Sequence, residues 1–258
     1  MLTRKMIFDT LKELGLKNTD NIMIHSSLKS IGEIEGNGLG LIECLKEYFN
    51  EGLVMLPMHT WSFMNNDLDI LDLSKENSCV GILPNLALRS GFIRSFHPTH
   101  SIVAYGKNAS SYIKYDDNAK TPVPYDGCFG MLHTIDAKIL FLGASLIKNT
   151  FIHSIEEKYN VPNRFTDHTY KFYSKKGDII KEYNVKKHYS TLNPHLSEHY
   201  IKLEKPMIDL GIAKYFKFGN ANSIIIDSKK CYELTCKLLE QDLHIFDDLK
   251  PIDEKLYK

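Results

Sequence analysis

The chain has 258 residues, of which 43% are hydrophobic and 25% are charged, as is typical of a globular protein with a buried core. Lys plus Arg and Asp plus Glu each number 32, so the chain lacks the basic excess typical of nucleic-acid-binding proteins. Neither a secretory signal at the N-terminus nor an apolar run of about 18 residues is present, so we expect no membrane span.

The first 60 residues alternate between helical and strand patterns. Thr3 is a candidate cap for a helix over 4–14, and the segment 21–25 is a short apolar strand. The helical period returns over 39–51, and a second apolar strand covers 53–56. This alternation with short connections predicts an α/β layer whose sheet is largely parallel.

The middle of the chain is less regular. The acidic segment 65–78 is predicted to be a loop, and Pro84 suits the first turn of a helix that ends at Gly91. A strand is predicted over 101–105, and a loop over 121–130, which holds two Pro and two Gly.

The second half of the chain begins with a strongly apolar strand over 138–142 and a helix from 149 or 150 to 159. Two antiparallel hairpins follow, and their predicted strands cover 169–173 with 179–185, and 212–218 with 223–227. Further helices are predicted over 195–203 and 228–242. The pattern predicts a single domain over 1–258 with a mostly parallel central sheet, flanking helices and an antiparallel hairpin insertion, and the segment 160–205 is a candidate small subregion.

Five cysteines are widely spaced, and no two form a Cys-x-x-Cys pair. Their odd number and wide spacing indicate a reducing compartment, so we expect a cytoplasmic protein.

A first candidate site follows the strand at 21–25, where the turn contains Ser26, Ser27 and Gly32. Small residues at the end of a parallel strand let backbone N–H groups and hydroxyls bind an anion such as a pyrophosphate. The motif is not a Walker loop, and a polar turn without a ligand explains it as well.

A second candidate site is the block 94–101, which holds Arg94, Ser95, His97 and His100. An Arg fork suits phosphate because it donates two hydrogen bonds at once. The two histidines have the spacing of a metal pair, but no Cys or Glu completes a ligand set, so we expect no metal. Two histidines that stabilise a turn are the alternative.

A third candidate site is the helix that begins near 150, where His153 lies one turn from both Glu156 and Glu157. A carboxylate beside an imidazole fixes one tautomer and favours its protonated form. His153 is therefore a candidate general base, and the spacing leaves either glutamate as its partner. A surface helix with a weak His–Glu pair is the alternative.

Taken together and in order, these blocks resemble the antibiotic N-acetyltransferase family, whose best-known members are aminoglycoside 3-N-acetyltransferases. The resemblance extends over 3–243 and is strongest in Arg-Ser-x-His-Pro at 94–98 and Thr-x-x-His-x-x-Glu at 150–156. The remaining matching blocks are 24–28, 54–62, 81–84, 106–109 and 140–144.

The resemblance implies acetyl-coenzyme A as donor, a small-molecule primary amine as acceptor, and no metal. It implies that the coenzyme is bound by Ser26, Ser27, Leu28, Lys29, Arg94, Ser95 and His97. His153 would be the base, Glu156 or Glu157 its partner, and Thr150 a donor to the developing oxyanion. No nucleic acid or membrane partner is implied, and a homodimer is left open.

The acceptor is less well defined, because the loop 121–130 matches the family only approximately and the region after 160 differs from it. Aminoglycosides are polycations, which favour an acidic cleft. Asp67, Asp69, Asp72 and Glu76 are candidates for an acidic lip, or are a solvated loop. The neutral net charge keeps a nucleotide-linked amino sugar as an alternative acceptor. A Ser hydrolase and a non-catalytic coenzyme-binding protein are further alternatives.

Overall fold

The computed structural model describes residues 1–258 and contains ten strands. The strands are β1 (Asn21–Ser26), β2 (Leu53–His59), β3 (Ile70–Asp72), β4 (Ile93–Arg94), β5 (His100–Gly106), β6 (Lys138–Leu142), β7 (Tyr170–Lys176), β8 (Ile179–Val185), β9 (Ala213–Phe218) and β10 (Ala221–Asp227). The α-helices are α1 (Arg4–Glu13), α2 (Leu28–Ile31), α3 (Asn37–Tyr48), α4 (Leu83–Arg89), α5 (Ala109–Tyr112), α6 (Thr150–Lys158), α7 (Glu204–Asp209), α8 (Ser228–Gln241) and α9 (Glu254–Tyr257). The segment Leu196–Leu203 forms a 3₁₀ helix.

Seven strands form the central sheet in the order β4-β5-β2-β1-β6-β10-β9. This confirms the α/β class, but parallel pairing is confined to β2-β1-β6, and the outer pairs are antiparallel. The sheet is mixed because β5 runs back along β2 and the β9–β10 hairpin adds to β6. Apolar runs identify strands without giving their directions.

The central strands are buried on both faces. In β6, Ile139 and Phe141 pack into one apolar cluster, while Leu140 and Leu142 pack into another. Helices α6 and α8 contribute to the first cluster, and α1 and α3 to the second. Strands covered on both faces read as continuous apolar runs, which is why β1, β2 and β6 are recognisable in the sequence.

The predicted hairpin insertion is present as β7–β8, and β3 joins it to form a second sheet. This sheet has a small core of its own, which includes Leu71, Phe172 and Tyr183. The segment 65–78 is therefore not entirely a loop, since it supplies β3. Its strand has only three residues and one buried side chain, too little for a periodic pattern.

None of the helices combines the length and apolarity that crossing a membrane requires.

Candidate active site

A cleft of about 830 Å³ lies where β1, β2 and β6 end. Parallel strands present their carboxyl ends at one edge of a sheet, so the turns that follow them meet there. Ser26 and Ser27 after β1 and His153 on α6 line this same cleft. Lys187 and His188, which follow β8, line it too. Its volume lies in the range of small-molecule sites.

Two of the four residues predicted in the turn after β1 reach the cleft. Ser26 and Ser27 line it, and the Ser27 hydroxyl lies 2.9 Å from that of Ser30. Leu28 instead packs against the core and Lys29 is exposed, and neither lines the cleft. Direct contact between this cleft and Leu28 or Lys29 is therefore not supported.

Gly143, after β6, forms the wall of the cleft beside this turn. It adopts φ +69°, and an added Cβ would lie 2.9 Å from Ser30 Cβ and 3.0 Å from Ala221 Cβ. Only glycine fits so close an approach in this backbone conformation. With Ser26, Ser27 and Ser145 it provides small residues and hydroxyl donors, which suit the polar chain and phosphates of a coenzyme.

Arg94 does not reach the cleft, contrary to the prediction that it contacts the coenzyme. It is 1% exposed. Its guanidinium donates to Ser101 Oγ at 3.0 Å and to the carbonyls of Glu76 and Met58 at 2.7 and 3.2 Å. All three guanidinium nitrogens are used in these bonds, so Arg94 links β2, β5 and the loop that contains Glu76.

Ser95 and His97 are also buried away from the cleft. The Ser95 hydroxyl donates to Asp116 at 2.5 Å, and His97 Nε2 lies 2.9 Å from the Thr121 carbonyl. His97 Nδ1 accepts from the backbone N–H of His100 at 3.0 Å. In this block His97 stabilises a turn, and His100 lines the cleft instead.

The His153 ring is held by a tyrosine that the sequence analysis did not identify. Its Nδ1 lies 2.6 Å from the Tyr200 hydroxyl, and that hydroxyl donates to Glu156 Oε2. Glu156 Oε2 is itself 3.8 Å from Nδ1. Because a tyrosine hydroxyl has a single proton, it accepts from Nδ1–H of His153. Nε2 then carries the lone pair, and it has no partner within the protein.

Glu156 is the centre of a buried ion-pair network. Arg164 Nε donates to Glu156 Oε1 at 2.8 Å, and a terminal nitrogen of Arg164 donates to Asp247 Oδ1 at 2.7 Å. Burial raises the pKa of Glu156, while Arg164 and Tyr200 oppose that rise. Because two donors point at the carboxylate, we assign it the ionised form.

Burial lowers the pKa of His153 well below its ordinary value, and His188, His195 and Arg164 add to this effect. The prediction that a nearby carboxylate would favour the protonated ring is therefore wrong. The charge of Glu156 is matched by Arg164, so loss of hydration dominates. The imidazole is neutral near pH 7, as a general base must be.

Glu157, the other candidate partner, faces away from the imidazole. Its carboxylate accepts a hydrogen bond from the Thr121 hydroxyl at 2.6 Å, and burial raises its pKa to about 7. The geometry therefore places Glu156, and not Glu157, next to His153.

The first turn of α6 opens into the cleft. Thr150, the candidate oxyanion donor, lines it, and Asn149 before it lines it too. Asn149 Oδ1 is buried and has no hydrogen-bond partner in the protein. A helix N-terminus attracts negative charge, so this position suits a developing oxyanion.

Six histidines line the cleft. His59 and His100 have ring centroids 4.7 Å apart, and His153 and His188 have theirs 4.3 Å apart. Nε2 of His25 and of His59, and both ring nitrogens of His188, are buried without partners. No group of His, Cys, Asp or Glu is arranged to hold a metal ion.

The cleft lining contains no carboxylate. Its formal charges come from Lys148 and Lys187. None of the four acidic residues considered as a lip lines the cleft, and Asp67, Asp69 and Asp72 accept hydrogen bonds from backbone N–H groups. Asp69, for example, accepts from the backbone N–H groups of Asn65 and Asn66, each at 2.8 Å.

The family profile described as "Aminoglycoside 3-N-acetyltransferase" matches residues 23–240. Aminoglycoside N(3)-acetyltransferase VII of Streptomyces paromomycinus is 24% identical in sequence, over 94% of this chain and 93% of its own length. The aminoglycoside N(3')-acetyltransferase-like protein YokD of Bacillus subtilis is 24% identical, over 62% of this chain and 66% of its own length.

Solved structures share the fold. Aminoglycoside acetyltransferase AAC(3)-Xa matches with a TM-score of 0.79 at 21% identity, covering 94% of each chain. AAC-IIIb in a binary complex with CoASH matches with a TM-score of 0.78 at 19% identity, over 93% of this chain and 96% of that one. A variant of AAC(3)-IVa in complex with apramycin matches with a TM-score of 0.77 at 20% identity, covering 94% of each chain.

The profile match covers most of the chain, and it falls on the ordered motifs from which the resemblance was inferred. The chain belongs to the aminoglycoside 3-N-acetyltransferase family, and it is an acyltransferase whose acyl donor is acetyl-coenzyme A.

Proposed function

We propose that the chain transfers the acetyl group directly to a primary amine of an aminoglycoside or aminoglycoside-like amino sugar, with His153 as general base. The observation that carries this proposal is the free Nε2 of His153 in a cleft shared with Ser26 and Ser27. A base must lie within reach of the proton that it removes. The acceptor class is proposed by analogy with the relative that is an aminoglycoside N(3)-acetyltransferase and with the structural neighbour in complex with apramycin.

In this proposal the coenzyme supplies the activated thioester when it is bound. Ser26, Ser27 and Gly143 hold its polar chain, and Asn149 offers a buried acceptor oxygen. Thr150 and the N-terminus of α6 stabilise negative charge on the attacked carbonyl oxygen. His153 Nε2 takes the proton of the attacking amine as the C–N bond forms, and it returns that proton to the coenzyme sulfur when the C–S bond breaks, so that free coenzyme A leaves as the thiol.

Tyr200 and Glu156 position the base. The hydroxyl of Tyr200 accepts from Nδ1–H and so holds the tautomer in which Nε2 is basic. When the ring becomes charged, Glu156 compensates that charge through Tyr200. Arg164 keeps Glu156 ionised and fixed.

We further propose that 160–205 forms the acceptor side of the cleft, since Lys187, His188, His195 and Ser197 from this segment line it. The Ser hydrolase alternative is disfavoured, because no histidine is hydrogen-bonded to Ser26 or Ser27.

A cytoplasmic location remains a prediction and is supported by five free cysteines. A homodimer likewise remains a prediction, which light scattering of the purified chain tests.

The proposal is tested by incubating the chain with acetyl-coenzyme A and a panel of aminoglycosides and amino sugars, and measuring free-thiol release. We expect amine-dependent release, with a mass increase of one acetyl group on the amine. Coenzyme binding without release on any amine would favour a non-catalytic binding protein. Release without an amine would favour a hydrolase.

One observation favours a second candidate acceptor, the nucleotide-linked amino sugar. The cleft has no carboxylate for a polycation and has two lysines for an anion.

A further inference from the structure

The cations of the cleft have no internal counter-charge. Neither Lys148 nor Lys187 forms an ion pair with a carboxylate, whereas ten other lysines of the chain do. Five of the histidines in the lining have pKa values lowered by burial, so they are neutral near pH 7. The cleft is therefore net positive, which favours anions and disfavours polycations.

Lys187 is fixed in place by its neighbours. Its backbone N–H donates to the Thr166 hydroxyl at 3.1 Å, and its carbonyl accepts from the Thr166 N–H at 3.0 Å. The ammonium donates to Asn65 Oδ1 at 2.8 Å and lies 5.0 Å from the Tyr170 ring centroid. A lysine ammonium has three donors, so it retains donor capacity for a ligand.

The carboxylate of Asp69 does not neutralise this ammonium. Burial lowers the pKa of Lys187 and Asp69 opposes that shift, but Asp69 forms no ion pair with Lys187 and is bound to the backbone N–H groups of Asn65 and Asn66. The charge of Lys187 is thus available to the cleft.

Lys148 and Lys187 come from different parts of the fold. Lys148 follows β6, as do Gly143 and Ser145 in the wall assigned to the coenzyme. Lys187 follows β8 of the second sheet, on the side assigned to the acceptor. Trp61, which is 47% exposed, also lines the cleft and offers a flat apolar face to a sugar or a base.

We propose that the acceptor of this enzyme is an amine that carries a phosphate group, which Lys187 binds, rather than a polycation. This proposal rests on the proposed acetyl transfer to an amino sugar, and it favours the second candidate acceptor, a phosphate-bearing amino sugar, over a polycationic aminoglycoside. A sugar phosphate and a nucleotide-linked sugar share this chemistry. Trp61 would contribute more to binding of the nucleotide form, since it can stack on a base.

The test compares four amines under saturating acetyl-coenzyme A: glucosamine, glucosamine 1-phosphate, UDP-glucosamine and the polycation kanamycin. We expect kcat/KM to be higher for both phosphate-bearing amines than for glucosamine and kanamycin. Lys187→Met should lower kcat/KM for the phosphate-bearing amines by at least about tenfold, as for loss of one hydrogen bond to a charged group. Glucosamine should be little affected.

Two matched variants control for charge and folding. Lys187→Arg keeps the cation and should retain most of the preference for phosphate. Lys186→Met removes the same charge from a neighbouring residue that does not line the cleft, and should behave as the wild type. The KM for acetyl-coenzyme A should not change in Lys187→Met.

A preference for kanamycin, or an equal loss for all amines in Lys187→Met, would overturn the inference and leave acetyl transfer intact. A rise confined to the KM for acetyl-coenzyme A would also overturn it, by placing Lys187 in the coenzyme site. Calorimetry also measures the affinity of the enzyme–coenzyme A complex for glucosamine 1-phosphate, and this measurement requires no turnover. Binding that weakens tenfold in Lys187→Met supports the inference even if none of these amines is acetylated, and unchanged binding contradicts it.

Discussion

At the scale of single residues, the proximity of His153 to a glutamate was predictable, but the choice between Glu156 and Glu157 and the tyrosine beside them were not. Glu156 and Glu157 both lie one helical turn from His153, so spacing alone indicates a His–Glu contact without selecting one glutamate. Tyr200 lies 47 residues after His153, and nothing in its local sequence distinguishes it from the other 13 tyrosines of the chain. Arg164 and Asp247 were missed for the same reason.

Replacement of Tyr200 by Phe tests the positioning role of its hydroxyl. The ring is retained, but Nδ1 of His153 and Oε2 of Glu156 lose their shared partner. We expect kcat to fall about 10- to 100-fold, as for loss of a buried hydrogen bond, with no change in the KM for acetyl-coenzyme A. Steady-state kinetics measure both, and an unchanged kcat in a folded variant would exclude the role.

The adjacent glutamates offer a matched pair. Glu156→Gln leaves Arg164 without its buried partner, so we expect a loss of about 3 kcal/mol in the free energy of unfolding together with low activity. Glu157→Gln resembles the protonated form of a group whose pKa is about 7, so stability and activity should be largely retained. Urea unfolding and thiol-release assays compare the two, and equal effects would contradict the assignment of Glu156.

Arg94, Ser95 and His97 were predicted to contact the coenzyme, but none of them lines the cleft. A cation, a hydroxyl and an imidazole next to a strand suit a phosphate site, but the same groups satisfy buried backbone carbonyls and carboxylates equally well. Only the fold determines which partner each side chain meets.

At the scale of elements, the strands were predictable but their pairing was not. Apolar runs identify β1, β2 and β6 because both faces of each are buried. The directions of β5 and β10 depend on long-range contacts, so the mixed sheet could not be derived from local pattern. Gly219 and Asn220 did predict the β9–β10 hairpin.

Replacement of Gly143 tests whether the wall beside the Ser26–Ser27 turn binds the coenzyme. Gly143→Ala places a methyl group against Ser30 and Ala221 in a left-handed conformation, whereas Gly177→Ala in the β7–β8 hairpin has the same conformation and open space. Both variants should lose about 1 kcal/mol in the free energy of unfolding, because alanine disfavours the left-handed backbone conformation. Gly143→Ala should lose more stability than Gly177→Ala, because its methyl group meets Ser30 and Ala221, and it should bind coenzyme A more weakly. Calorimetry measures the affinity, and equal affinities in the two variants would contradict this assignment.

At the scale of the whole molecule, the buried histidines set the response to acid. Burial lowers the pKa of His25 to about 3 and that of His188 to about 4. The unfolded chain therefore binds protons below about pH 6.5 that the folded chain does not. Stability falls as the pH decreases from 6.5 toward these lowered values, by up to about 1.4 kcal/mol per pH unit for each such histidine.

Urea unfolding between pH 7 and pH 5 checks this dependence. His25→Gln should show a smaller loss of stability over that range, and His168→Gln, at an exposed position, should match the wild type. A wild-type stability independent of pH would contradict the assigned histidine states.

We propose His153 as the base in a cleft that is shared with the coenzyme. The most direct test is His153→Gln, measured for acetyl transfer and for coenzyme A affinity on the same preparation, with His168→Gln as control. We predict a fall in kcat of about 10²- to 10⁴-fold with an unchanged coenzyme affinity. Full turnover in His153→Gln would exclude His153 as the base.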